Sequence, residues 1–191
     1  MKRFFLLTMA ASALGTGCAN SAEKNPVVVV ETSMGKVRIE LFQDKAPITV
    51  KNFLAYVDDK FYDGLVFHRV IPDFMVQGGG FEPGMKEKKT KDQIKNEAGN
   101  GVANTRGTLA MARTSVPDSA SSQFFVNLKD NAFLDRANSR DKVGYCVFGK
   151  VIEGMAVIDK IAGVSTGQRG PHGDVPTEDV TIKTARLEKA E

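Results

Sequence analysis

Residues 67–81 read FHRVIPDFMVQGGGF, and Arg69 stands among Phe67, Val70 and Ile71, with Phe74, Met75 and Val76 following after Pro72 and Asp73. A guanidinium keeps its proton and offers its N–H donors in a rigid fork. In such apolar company it is paired with an acid, reaches solvent, or is aimed at a ligand. The residues alone leave all three open. Counting by twos from Arg69 reaches Met75 and Gln77, so these share one strand face if Pro72-Asp73 leaves the register unshifted. Phe74 breaks that parity and joins them only through a bend, which the proline permits.

Other chemistries fare worse on spacing. Hydrolysis needs a nucleophile beside a base, and Ser119, Ser121 and Ser122 lack a nucleophile-elbow pattern. Only an assembly in space could pair Ser121 or Ser122 with a histidine. The two histidines, His68 and His172, have no neighbours at metal-ligand spacing, so no metal and no cofactor is expected. His68, opposite in parity to Arg69, is expected to be a satisfied structural residue. Gly78-Gly79-Gly80 lacks the later glycines and the lysine of a phosphate loop, and no helix follows. A strand kink or close backbone approach is the expectation there.

The elements that must hold these residues are short. VVVVET at 27–32 and KVRIELF at 36–42 read as a hairpin, with Val37, Ile39 and Leu41 alternating against Lys36, Arg38 and Glu40. Pro47 opens a helical pattern to about Val57. Strand-like runs follow at 65–70, 74–77, 107–112, 123–128 and 145–151, then a second helical segment at 153–163 with Gly163 as its stop, and a last strand at 180–187. About eight strands and two helices without regular alternation predict an antiparallel sandwich or barrel, not a doubly wound parallel sheet. The stretches 82–106, 113–122 and 164–179 read as long loops.

The chain has 191 residues, 42% of them hydrophobic and 26% charged, which suits one globular domain. Its start differs. Lys2 and Arg3, an apolar run from Phe4 to Leu14 and the small residues GTGCANSA predict an export signal over 1–22, ahead of a single domain at 26–188. Cys18 after Gly17 also suggests a lipoprotein cleavage site, with ordinary cleavage near Ala19 to Ala22 as the alternative. A periplasmic protein follows, without a membrane span, free or tethered by lipid on Cys18. Removing Lys2 and Arg3 from the 26 basic residues leaves 24 against 23 acidic ones, near neutrality, which argues against a nucleic-acid partner. The basic run KEKKTKDQIK at 86–95 carries interleaved acids and reads as a solvated loop. Cys146, in GYCVFGKV, reads as a small core residue, and one remaining thiol builds no disulfide framework.

FHRVIPDFMVQGGGF, GTLAMAR at 107–113, SSQFFVNL at 121–128 and VFGKVIEGM at 147–155, in that order, resemble the cyclophilin family of peptidyl-prolyl isomerases, and its bacterial exported members above all. The similarity runs from about Val27 to Leu187. It implies a closed eight-stranded antiparallel barrel capped by two helices, and an isomerase acting on X–Pro bonds of exported proteins as they fold, as a cofactor-free monomer. Its partners would be proline-containing peptides and unfolded or folding exported proteins. By matching motifs, Arg69 takes the place of the catalytic arginine, with Gln77 beside it, and Phe74 and Met75 belong to the adjacent pocket. Ala112 and Arg113 fall where the family usually has an Ala-Asn pair. Gln123 and Phe125 belong to the QFF motif, Phe125 lining the proline pocket together with Leu134. Phe133 stands where many eukaryotic members have tryptophan and Tyr145 where they have histidine, so weak cyclosporin binding is expected. Asp73 replaces a common glycine, which aspartate tolerates at unusual backbone angles. The competing reading is a chaperone module that binds proline peptides without turning them over.

Overall fold

The computed structural model describes residues 25–189, so residues 1–22, where an export signal is expected, and Cys18 lie outside the described residues. Eleven strands and two helices follow in order: β1 (Val27–Thr32), β2 (Gly35–Leu41), α1 (Pro47–Asp58), β3 (Val66–Ile71), β4 (Met75–Glu82), β5 (Lys86–Glu87), β6 (Thr108–Met111), β7 (Phe124–Asn127), β8 (Val147–Glu153), α2 (Met155–Ala162), β9 (Thr166–Arg169), β10 (His172–Pro176) and β11 (Ile182–Leu187). Eight strands form one antiparallel path, β11-β1-β2-β8-β6-β7-β4-β3, and β5 adds a short edge to β4. The path curls until its ends meet. There the two ends are joined by the Val66–Thr181 bridge and the bonds Phe67 N–H to Val180 O (2.9 Å), Ile182 N–H to Leu65 O (2.7 Å) and Gly64 N–H to Ile182 O (2.8 Å). The expected closed barrel is thus a strongly curled sheet with a short seam in place of a full closing ladder.

Alternation sorts the side chains into two cores. Val37, Ile39 and Leu41 of β2 point inward with Phe67, Val70, Val76, Leu109, Phe124, Val126 and Phe148. The helices cap this interior with Val50, Phe53, Tyr56 and Val57 from α1 and Ile158 and Ile161 from α2. On the outer face Met75, Ala110, Phe125, Leu134 and Val147 form a second, smaller cluster. β6 and β7 are therefore buried on both faces, which is why TLAM and FFVN carry apolar residues at successive positions.

Helix α1 starts at Pro47 with no side-chain cap of its own. The Glu97 carboxylate supplies one from afar, accepting from Ile48 N–H (3.2 Å), Thr49 N–H (2.8 Å) and the Thr49 hydroxyl (2.7 Å). An anion at a helix N-terminus satisfies free N–H groups and the dipole together, and here it also pins the long 82–106 segment. Cys146 is buried beside Thr49, and burial pushes its thiol up to about 11.

Two expectations about loops fail. The 164–179 stretch contains the β9–β10 hairpin, a separate two-stranded sheet whose β10 lies against β3. The basic run also contributes β5, while Lys88 and Lys91 donate to the Phe61 carbonyl and to Asp59. Gly163 ends α2, but at φ −90°, without the left-handed stop.

Candidate active site

Three neighbouring strands bring the central residues into one row. Arg69 of β3 pairs with Gln77 of β4, and Gln77 pairs with Phe125 of β7. Strands lie about 4.8 Å apart, so the row spans about 10 Å from Arg69 to Phe125. Met75 sits two residues before Gln77 on the same outer face. The turn between β3 and β4 explains Phe74. Its N–H bonds the Ile71 carbonyl (3.2 Å), with Pro72 and Asp73 between them, and Asp73 adopts φ 56°. Proline second and a positive φ third make a tight turn that aspartate tolerates. It brings Phe74 round to the outer face.

The facing wall comes from the segment after β7. Leu134 ends a 3-10 turn over Ala132–Leu134, and Tyr145 N–H bonds its carbonyl (3.0 Å). Asn131 ties this wall to the strands: its Nδ2 donates to the Phe74 carbonyl (2.9 Å) and to Asn127 Oδ1 (2.8 Å). Asp135 accepts from Asn104 N–H (2.7 Å) and Nδ2 (2.9 Å). Together these parts line a cleft of about 200 Å³ with Arg69, Phe74, Met75, Gln77, Ala112, Arg113, Phe125, Leu134 and Tyr145. An apolar hollow with a few convergent polar groups is the usual form of a small-ligand site.

The two arginines at its ends differ. Arg113 is nearly buried, with 3% of its side chain exposed. Its Nε donates to Gly144 O (2.9 Å), its Nη1 to Thr114 O (2.9 Å) and its Nη2 to Asp141, and its guanidinium carbon lies 4.6 Å from the Tyr145 ring centre. The Arg113 bond holds the Asp141 carboxyl well below the usual carboxylate range. Each of the three nitrogens of Arg113 donates to the protein, so the side chain is held as a clamp on the cleft wall. Arg69 is the opposite case. Its Nε faces Asp174 Oδ2 at 3.7 Å, its side chain is 44% exposed, and its Nη1 and Nη2 have no partner among the described residues. The opening alternatives all hold in part: Arg69 is loosely paired, half exposed, and turned to the cleft shared with Gln77 and Phe125.

Gln123 and Phe133 lie outside the lining. Gln123 accepts from Gln77 Nε2 at 2.9 Å and so orients that amide from behind. Phe133, 56% exposed, stacks on Phe74 with ring centres 5.6 Å apart and extends the rim. His68 differs from expectation. The register slips between Phe67 and Arg69, making His68 the extra residue of a bulge. It is buried against Phe81, its Nδ1 has no partner, and burial pushes its pKa down to about 4. It is a neutral histidine with one ring nitrogen, Nδ1, left without a partner.

A hydrolytic reading has no support. Ser122 is buried and donates to the Gly79 carbonyl (2.7 Å), and no histidine among the described residues bonds a serine. No group of three or more His, Cys, Asp or Glu among them could hold a metal ion, and no described helix is long and apolar enough to cross a membrane. Sequence reasoning missed Asp174, Asp141, Asn131 and Asp135. Their signal is tertiary: each acts across 28 to 105 positions of sequence on a residue that sequence reasoning did single out or on its support.

Comparison with known proteins agrees with this geometry. The family described as "Cyclophilin type peptidyl-prolyl cis-trans isomerase/CLD" matches residues 27–187. A peptidyl-prolyl cis-trans isomerase of Acinetobacter baylyi is 59% identical over 163 residues, covering 85% of this chain and 86% of the relative. Peptidyl-prolyl cis-trans isomerase B of Escherichia coli is 57% identical over 162 residues, covering 84% of this chain and 99% of the relative. Among solved structures, a cyclophilin-type isomerase of Cryptosporidium parvum, described in the presence of the dipeptide Ala-Pro, superposes with a TM-score of 0.74 at 26% identity, covering 86% of this chain and 99% of that one. With the curled sheet, the two capping helices and the outer cleft, these matches show that the chain belongs to the cyclophilin-type peptidyl-prolyl cis-trans isomerase family.

Proposed function

We propose that the chain accelerates rotation about X–Pro bonds of exported proteins as they fold, with Arg69 as the catalytic donor. The observation that carries this is Arg69 itself, its two Nη groups without partners among the described residues, on the cleft where Phe125, Met75 and Leu134 offer an apolar seat. The X–Pro bond turns slowly because amide resonance imposes a barrier of about 18–20 kcal/mol. Nothing covalent is required. As the bond twists, the prolyl nitrogen leaves conjugation and gains a localised lone pair. A hydrogen bond from Arg69 Nη to that nitrogen is stronger at the twist than in either planar state, and only such a difference lowers the barrier.

Phe74, Met75, Phe125 and Leu134 hold the proline ring, so that the acyl side of the bond turns against a fixed ring. The Gln77 amide, its Nε2 spent on Gln123, keeps its carbonyl side toward the cleft and guides the turning segment. The Ala-Pro dipeptide named with the Cryptosporidium parvum structure supports a proline peptide as the occupant. Export to the periplasm rests on the basic, apolar and small residues of 1–22. In this reading the protein acts there as a monomer, free or held by lipid on Cys18. The test is exchange of a proline peptide with wild type and Arg69→Ala. Acceleration by wild type that Arg69→Ala loses supports the proposal; binding without wild-type acceleration overturns it in favour of a peptide-binding module.

A further inference from the structure

On the reading that Arg69 is the catalytic donor, we propose that Asp174 is its positioning residue, carried to the site by the β9–β10 hairpin. Two local irregularities aim the pair at each other. On β3 the register slips between Phe67 and Arg69. On β10 it slips between His172 and Val175, so that two residues there, Gly173 and Asp174, oppose Gln168 alone on β9, and Asp174 within this bulge adopts φ 60°. Bulges re-aim side chains, and a left-handed residue of this kind is tolerated best when it is Gly, Asn or Asp. The hairpin hydrogen-bonds to no strand of the main sheet, yet β10 lies along β3. Its open end is closed by Thr177 N–H to Ser165 O (2.9 Å), and Arg169, beside the turn, is bonded to Asp179 (2.6 Å).

Asp174 Oδ2 lies 3.7 Å from Nε, an ion pair longer than a hydrogen bond, and no other acid among the described residues is paired with Arg69. Anchoring at Nε leaves both Nη groups for the substrate. Arg38, Arg106 and Arg186 instead spend Nη groups on carboxylates. A long, half-exposed arginine has wide rotamer freedom, and a counter-charge beside the fork narrows it toward the cleft. The anion also weakens the field of the cation. The bond to a lone pair is short-ranged and directional, however, so where the fork points counts for more.

The pair is half exposed on both sides, and such pairs contribute little to stability. Its removal therefore separates positioning from folding. Asp174→Asn and Asp174→Gly both suit a positive φ. Each is expected to lower kcat about three- to fivefold, with KM within about twofold and the melting temperature unchanged. Raising salt to about 1 M, where screening acts within about 3 Å, should lower wild-type kcat toward the variants and leave theirs unchanged. An unchanged kcat in Asp174→Asn overturns the proposal, as does a loss matched by an equal loss of thermal stability. Arg69→Ala run alongside keeps the two readings apart. If it retains wild-type kcat, the role of Arg69 itself fails; if it loses kcat while Asp174→Asn does not, only the role of Asp174 fails.

Discussion

Replacing Arg113 by alanine tests whether that residue clamps the site or serves the substrate. The structure commits its guanidinium to Gly144 O, Thr114 O, Asp141 and the Tyr145 ring, with 3% of the side chain exposed. Truncation leaves two carbonyls without their charged donor, each such bond contributing about 1.5–3 kcal/mol when intact. It also removes a cation over an aromatic face, about 0.5–2 kcal/mol. Asp141 stays out of the sum, because it is half exposed and water replaces its lost partner. Water also reaches part of the freed space, so the net loss is about 2–4 kcal/mol. In a domain of this size that lowers the melting temperature by about 4–16 °C. Tyr145, no longer held from behind, lets the wall with Leu134 relax, so KM rises more than kcat falls. Thermal unfolding followed by steady-state proline-peptide kinetics reads both. A variant that keeps the wild-type melting temperature but loses kcat would refute the clamp and return Arg113 to the substrate.

Two further outcomes follow from the same geometry. Adding a methyl group at Gly80 places a Cβ 2.6 Å from Gln123 Cγ and Nε2; Gly80→Ala therefore displaces Gln123 and frees the Gln77 amide. A fall of about tenfold or less in kcat with little change in unfolding is expected, and unchanged kcat would show that the Gln77–Gln123 bond is dispensable. His68, pushed down to about 4 in the fold from an ordinary 6.5, is protonated first in the unfolded chain as pH falls. Its contribution is thus whole above about pH 6.5 and lost progressively toward pH 4, about 2 kcal/mol of it by pH 5. His68→Gln should flatten that part of the stability profile between pH 7 and 5, as read by urea midpoints, and an unchanged slope would show that the histidine does not cause it.

What the sequence made legible was whatever repeats locally. The alternation of Val37, Ile39 and Leu41 is a property of one strand, and the structure puts them on one face; Arg69 lies on β3 and Met75 and Gln77 on β4, and they share the cleft because the turn between the two strands sets Arg69 opposite Gln77. The bend at Pro72-Asp73 was readable for the same reason, since a proline and a residue tolerant of positive φ adjoin. The β9–β10 hairpin was not legible, because TGQR and HGDVP show no apolar alternation and the hairpin leans on β3 for support. The full length of β4 is not legible because three glycines suggest a kink; they stay in the strand because the Phe67 ring, the Phe124 ring and Gln123 occupy the space a side chain would need. His68 is the buried structural residue that its neighbours suggest, but its open Nδ1 is not legible, since parity cannot foresee an inserted residue. The fate of Arg113 depended on Asp141, Gly144 and Tyr145, which only folding brings to it.

The central claim is that Arg69 acts at the twisted bond and not merely in holding the peptide. Nuclear magnetic resonance exchange at saturating proline peptide separates the two, giving the interconversion rate on the enzyme and the Kd independently for wild type and Arg69→Ala. A charged hydrogen bond contributes about 1.5–3 kcal/mol, and the half-exposed side chain favours the range of about ten- to a hundredfold over the larger losses of a fully dry site. That loss is expected in the on-enzyme rate, with Kd changed by less than about threefold. A weakened Kd with an undiminished on-enzyme rate would contradict it.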